Sequence, residues 1–164
     1  MECPACHRVL RSRRIGEIVV DVCHDGCGGI WFDQGELSKF DEPSEFQGEA
    51  LLDTPRSLGV NVDQSLRLRC PVCPDTVLMR HFFSAKRVVE VDECPTCGGY
   101  WLDTGELRRI RAEYPSAAAR QQAAREYLKE ALGDELAEHQ AKLEKDRERR
   151  RRFENIFGFL TKPL

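Results

Sequence analysis

Hydrophobic and polar positions alternate through Ile18-Val19-Val20-Asp21-Val22, which places Ile18, Val20 and Val22 on one face of a short strand. Val9-Leu10 starts the strand before it, and the basic run Arg11-Ser12-Arg13-Arg14 falls at the tip of the hairpin between them. Val77 to Phe83 and Arg87 to Asp92 predict a second hairpin, with the better strand pattern of the two. After each hairpin an Asp is followed three residues later by a Glu, in Asp33-Gln34-Gly35-Glu36 and in Asp103-Thr104-Gly105-Glu106. That is the spacing of a helix N-cap with a Glu at N3. It predicts two short helices. The first starts near Gln34 and carries Leu37 inward; the second carries Leu107 and Ile110 to about Tyr114, where Pro115 stops it. Capping explains the spacing of these carboxylates fully, so paired acid–base catalysis gains nothing from it.

The pattern changes after Pro115. From Ser116 to Arg152 the chain is rich in Ala, Glu, Gln, Lys, Arg and Leu, which is a long helix by propensity. Ala117, Ala124, Leu128, Ala131, Leu132, Leu136 and Leu143 make an interrupted apolar stripe, too thin for a sustained coiled coil. Such a stripe suits packing on the hairpin modules or on another chain. Gly133-Asp134 could divide the helix in two, with Asp134 capping the second half. A basic cluster follows (Arg147 and Arg149 to Arg152), then Phe153, Ile156, Phe157, Phe159 and Leu160, too many aromatics for a free tail.

The two hairpin modules are copies of one another. Cys27-Gly28-Gly29-Ile30-Trp31-Phe32-Asp33-Gln34-Gly35-Glu36-Leu37 aligns with Cys97-Gly98-Gly99-Tyr100-Trp101-Leu102-Asp103-Thr104-Gly105-Glu106-Leu107, with identity at Cys, Gly, Gly, Trp, Asp, Gly, Glu and Leu. Counting back from Cys23 and Cys94, Ile18 and Val20 match Val89 and Val91, so the apolar face is repeated too. The chain therefore divides into a first module (1–41), a connector (42–66), a second module (67–114), a helical arm (115–152) and an aromatic-rich tail (153–164). Pieces this short seldom bury a sufficient core unaided and usually need a metal, disulfides or a partner.

The eight cysteines meet that need. They fall in pairs, Cys3/Cys6, Cys23/Cys27, Cys70/Cys73 and Cys94/Cys97. The opening Met1-Glu2-Cys3-Pro4 has no apolar signal-peptide region, and no run approaches the about 20 apolar residues of a membrane span. A reducing cytoplasm is the expected location, where paired cysteines favour metal over disulfide. Spacers of sixteen and twenty residues separate the pairs within the modules, the length of a hairpin. Two knuckles joined by a hairpin make a tetrahedral four-sulfur site, which suits Zn²⁺ and leaves no open position for water. A rubredoxin-type iron centre uses the same ligands and is the rival metal. Thioredoxin-like redox chemistry lacks its βαβ context. His7, His24, His81 and His139 are not expected as ligands; His24 is the alternative donor if the longer Cys23–Cys27 knuckle displaces a cysteine. Trp31 and Trp101 read as core residues in preference to base-stacking surfaces.

Cys-Pro-x-Cys, a hairpin ending in Val-Asp-x-Cys, and then Cys-Gly-Gly-x-Trp-x-Asp-x-Gly-Glu-Leu resemble the bacterial transcription-factor-IIB-type zinc-ribbon domain family. The second module matches throughout from Cys70 to Leu107, and the first from Cys3 to Leu37 apart from one extra residue between Cys23 and Cys27. The resemblance covers about half the chain. It implies two zinc β-ribbons, bound through Cys3, Cys6, Cys23 and Cys27 and through Cys70, Cys73, Cys94 and Cys97, and a link to transcription through the family name.

The expected fold is a small zinc-stabilised α+β protein: two zinc β-ribbons, each followed by a short helix, plus a C-terminal helical arm. With no phosphate loop, no nucleophile–base pattern and no open metal position, an enzyme is not expected and no catalytic residue is assigned. The leading expectation is a non-enzymatic adaptor whose arm docks on a protein partner or a second copy. Nucleic-acid binding is the second, through Arg11, Arg13 and Arg14, through Arg80, His81, Lys86 and Arg87, and through Arg147 to Arg152. The net charge of −3 gives it no global electrostatic help. Membrane-surface binding through residues 149–160 is a third reading.

Overall fold

The computed structural model describes residues 1–41, 46–52 and 54–157. Pro43 and Asp53 of the connector, and Phe159 and Leu160 of the aromatic-rich end, lie outside the described residues. Residues 1–123 form one compact unit, and the chain from Ala124 onward forms another.

In the first unit, β1 (Arg11–Ile15), β2 (Ile18–Val22), β3 (Ile30–Phe32), β4 (Met79–Phe82), β5 (Glu90–Glu93) and β6 (Tyr100–Leu102) form a single antiparallel sheet. Its strand order is β1-β2-β3-β6-β5-β4. The two modules are thus halves of one sheet, joined where β3 pairs with β6 in the register Ile30↔Leu102, Trp31↔Trp101 and Phe32↔Tyr100. One row of cross-strand neighbours crosses all six strands: Ser12, Asp21, Trp31, Trp101, Asp92 and Arg80. Repeat-equivalent residues stand at mirror positions in that row, so the joint between the tryptophans is a pseudo-twofold.

Each face of the sheet covers its own core. On one, Val20, Val22, Phe32, Val91 and Leu102 pack with Leu37, Phe40, Leu51, Leu107 and Ile110. These last come from a 3₁₀ turn (Leu37–Lys39), from α1 (Phe46–Leu52) and from α2 (Glu106–Glu113). On the other, Trp31 and Trp101 pack with the cysteines and with Leu10, Val60, Leu68 and Leu78. The connector therefore supplies Leu51 to one core and Val60 to the other. Arg111, only 5% exposed, ties α2 of the second module to the first module by donating to the Phe40 carbonyl at 2.9 Å, and to the connector by donating to Glu49 Oε1 at 3.1 Å.

Four local expectations change. Arg11 to Arg14 are not a hairpin tip: they are strand β1, and the turn is Gly16-Glu17, where Gly16 takes a φ of 61° that glycine adopts without penalty. Arg80 and His81 likewise lie in β4, and only Lys86 and Arg87 sit in the loop after it. The first hairpin also has the longer strands, five residues each against four. Finally, the helix predicted near Gln34 is only the 3₁₀ turn. Ser38 Oγ donates back to the Gly35 carbonyl, and fully buried Phe40 takes the chain down into the core. The second copy continues as α2 because Ile110 and Arg111 give its next turn a buried face. It stops at Tyr114, whose extended backbone is what a following proline requires.

The arm is α3 (Ala117–Phe157), one unbroken 41-residue helix that passes through Gly133. Ser116 Oγ accepts the Ala119 N–H at its start. Tyr127, Leu128, Leu132 and Leu143 are exposed on it.

Candidate metal centres

Each ribbon brings its two cysteine pairs to one point. Cys3, Cys6, Cys23 and Cys27 form one group and Cys70, Cys73, Cys94 and Cys97 the other, with the sulfurs of each group all within 4.8 Å of one another. Cys3–Cys27, Cys3–Cys6 and Cys6–Cys23 sulfurs are 3.5, 3.6 and 3.4 Å apart, and Cys70–Cys97 3.7 Å. A zinc–sulfur bond of about 2.3 Å gives a tetrahedron with edges of about 3.8 Å. The donor sets therefore fit Zn²⁺, and the chain holds two structural zinc ions, one per ribbon. Four sulfurs close each shell.

The knuckle turns aim the backbone at the sulfurs. Cys73 N–H donates to Cys70 Sγ at 3.2 Å and Cys97 N–H to Cys94 Sγ at 3.5 Å, which stabilises thiolate charge. Four thiols packed this closely do not all ionise against one another. Burial, then the Cys6 thiol, pushes Cys23 up to about 12, and burial pushes Cys70 to about 12. Hydrogen bonding from Cys3 draws Cys27 down to about 6. At Cys94 burial is outweighed by bonds from the Cys97 and Thr96 backbone, which bring it to about 7. A divalent cation among the sulfurs resolves that conflict and displaces the remaining protons.

The extra residue of the first module does not change the ligand set. His24 turns away, its Nδ1 3.2 Å from Asp25 Oδ1 in an exposed pair. The longer loop fits because of Gly26, where an added Cβ would stand 2.3 Å from Cys23 Sγ and 2.9 Å from Cys6 Sγ. His7 pairs with Glu2 and His81 with Glu93. The tryptophans are core, 0% and 1% exposed.

The Gly-Gly-x-Trp-x-Asp signature serves the joint between the ribbons. The first glycine of each pair, Gly28 or Gly98, turns the chain with φ of 76° or 68°. The second gives room to the other module's tryptophan. A Cβ on Gly29 would lie 2.2 Å from Trp101 Cζ2, and one on Gly99 would lie 2.2 Å from Trp31 Cζ2. Each aspartate holds its own indole: Trp31 Nε1–H donates to Asp33 Oδ1 at 2.9 Å and Trp101 Nε1–H to Asp103 Oδ1 at 3.1 Å. This corrects the expected caps. The carboxylates bind indoles, and neither Glu36 nor Gly105, at the helix starts, makes a side-chain cap. The glutamates do reach back, to Asp33 N–H at 2.9 Å and Asp103 N–H at 2.8 Å, the half of a capping box that the Asp–Glu spacing predicts, although the helices begin at or beside the glutamates themselves. The signal was readable: residues two apart in a strand share a face.

Among the described residues of the two hairpins, the basic side chains do not converge. Arg11 pairs with Asp25, and Arg80 makes a two-pronged contact with buried Asp92 at 3.0 and 3.1 Å. Lys86 donates to the Glu113 carbonyl and lies over the Tyr114 ring. Arg13 and Arg14 are exposed on the edge strand. Among the described residues, no helix is long and apolar enough to cross a membrane.

The model of one protein family, described as Transcription factor zinc-finger, matches residues 2–42 and 69–113, together more than half of the chain. No curated protein and no solved structure matches it.

Proposed function

Because the chain belongs to the transcription-factor-IIB-type zinc-ribbon family, as two copies fused into one sheet, we propose that it is a non-enzymatic interaction protein whose helical arm docks on another protein chain. The observation that carries this reading is the arm itself. Tyr127, Leu128, Leu132 and Leu143 are 42–53% exposed along this 41-residue helix. An isolated polar helix has no need of such residues, and apolar side chains left to solvent on one element mark contacts. The zinc sites support a structural role, since four-thiolate shells offer no coordination position to a substrate. A place in transcription is the corresponding proposal for the setting, and it rests on the family description alone.

Nucleic-acid binding is the second reading, favoured by exposed Arg13 and Arg14 on β1. The pairing of Arg11, Arg80 and His81 with carboxylates leaves the hairpins few cations for phosphate.

Native mass spectrometry of the chain isolated from its own cells tests both. Retention of a protein or a second copy at fixed stoichiometry, lost on truncation after Ala123 with both zincs kept, is the expected result. Unchanged assembly after truncation overturns the role of the arm. Bound nucleic acid that is lost in the Arg13→Glu/Arg14→Glu variant replaces it with the second reading.

A further inference from the structure

The charges of α3 are sorted along its length. Between positions 126 and 138 the sequence has five acids (Glu126, Glu130, Asp134, Glu135, Glu138) against Lys129 alone. Between 142 and 152 it has seven bases against three acids. Within a single helix this sorting sets several like charges side by side. Glu126, Glu130, Asp134 and Glu138 follow one another at four-residue spacing, as do Lys145 and Arg149, and Arg147 and Arg151. Like charges at that spacing weaken an isolated helix. The helix dipole does not account for the pattern either. It acts within the terminal turns, and Glu126 is already in the third turn of a helix that begins at Ala117.

An apolar stripe runs beside the sorted charges. Leu128, Leu132 and Leu143 are spaced by four and eleven residues, close to whole turns, and are 53%, 42% and 47% exposed. Four residues beyond Leu132 the sequence has Leu136, and ten and fourteen residues beyond Leu143 it has Phe153 and Phe157.

We propose that α3 packs antiparallel against α3 of a second copy of this chain. Antiparallel pairing lays the acidic segment of each copy along the basic segment of the other, twice over in one isologous interface. A parallel pair sets acids against acids and bases against bases. Positions 134, 138, 145 and 149 succeed one another by four, seven and four residues, so they share one flank of the stripe. Antiparallel packing sets that flank against itself, acid to base. The inference rests on the reading of the arm as a docking element and names what it docks on.

Sedimentation equilibrium of the full-length, zinc-loaded chain across micromolar concentrations tests it, with zinc content confirming that each variant keeps its ribbons. A dimer is expected, with a dissociation constant raised about tenfold or more in high salt. Lys145→Glu/Arg149→Glu is expected to weaken it by a similar factor, and adding Asp134→Lys/Glu138→Lys to restore it. Leu128→Asp/Leu132→Asp is expected to leave a monomer. Lysine cross-linking of mixed light and heavy copies reads the orientation. An intermolecular Lys129–Lys129 link means a parallel pair and overturns the proposal, as does a dimer indifferent to Leu128→Asp/Leu132→Asp. A monomer throughout also overturns it, yet leaves standing an arm that docks a different protein, which native mass spectrometry reports separately.

Discussion

Replacing Gly99 by alanine drives a methyl group into the ring of Trp31. The new Cβ stands 2.2 Å from Cζ2, 2.8 Å from Cη2 and 2.9 Å from Cε2. Carbon atoms in contact settle at about 3.5–4.0 Å, so something must move by about 1 Å or more. The ring has little freedom to do so. Trp31 has 0% exposure, and its nitrogen is held by Asp33 at 2.9 Å. Swinging the indole aside breaks that bond; moving the backbone breaks the β3–β6 pairing. Overpacking costs about 1–3 kcal/mol in ordinary cores, and a pinned ring facing a strand belongs at the upper end, about 3 kcal/mol. Gly105→Ala is the control: its φ of 84° imposes a backbone strain of about 1–2 kcal/mol, but its Cβ meets nothing within 4 Å. Denaturant unfolding followed by tryptophan emission is the assay, since the only two tryptophans form the joint. Gly99→Ala is expected to unfold earlier and to shift the native emission to the red with both zincs bound. Gly105→Ala is expected to keep the native emission. A Gly99→Ala protein within about 0.5 kcal/mol of the parent, with unchanged emission, refutes the reasoning.

Other consequences follow from the same geometry. Asp103→Ala leaves the buried Trp101 N–H without an acceptor and is expected to cost about 1–3 kcal/mol by denaturant midpoint, while Asp103→Asn, which keeps an oxygen there, costs clearly less. Burial raises the Glu106 carboxyl to about 7 from 4.5, against the bond from Asp103 N–H. Over that window the folded chain keeps a proton that the unfolded chain has lost, so this group's contribution declines as pH rises and is gone above about 7. Glu106→Gln retains the acceptor without the charge, and its stability advantage is expected to grow from pH 6 to pH 8, to at most about 3 kcal/mol. Zinc uptake must displace protons from Cys23 and Cys70, both pushed to about 12, so apparent affinity in a chelator competition is expected to fall steeply below neutral pH. Chelation to completion is expected to abolish the sheet's cooperative unfolding, because zinc binding of about 10–16 kcal/mol is folding energy in domains this small.

Much of the site was legible because metal ligation and strand burial are written in local spacing. The cysteine pairs, the hairpin-length spacers and the inward Ile18, Val20, Val89 and Val91 were all read from residue order, and the sulfurs meet where that order puts them. Asp33 and Asp103 were misread because one spacing served two purposes. Three residues before a glutamate, an aspartate looks like a cap; two residues after a tryptophan, it is within reach of the indole, and the buried N–H has the stronger need. The arginines of β1 looked like a turn because the Gly16-Glu17 turn is only two residues long, and an exposed edge strand has no apolar alternation to announce it.

What the sequence by itself determined is the chemistry and the unit: two copies of one ribbon, each closed by four thiolates, and a long helix after Pro115. These depend on neighbours within a few turns or one hairpin of each other. What only the tertiary structure decided is how the copies combine. A ribbon alone exposes a free edge at its third strand and a tryptophan too large for its own core. Pairing β3 with β6 removes both edges and sends each indole over the other copy's glycine. No residue in either copy specifies that partner locally, because the two halves of the contact lie seventy residues apart at Gly29 and Gly99 and acquire meaning only when the strands meet.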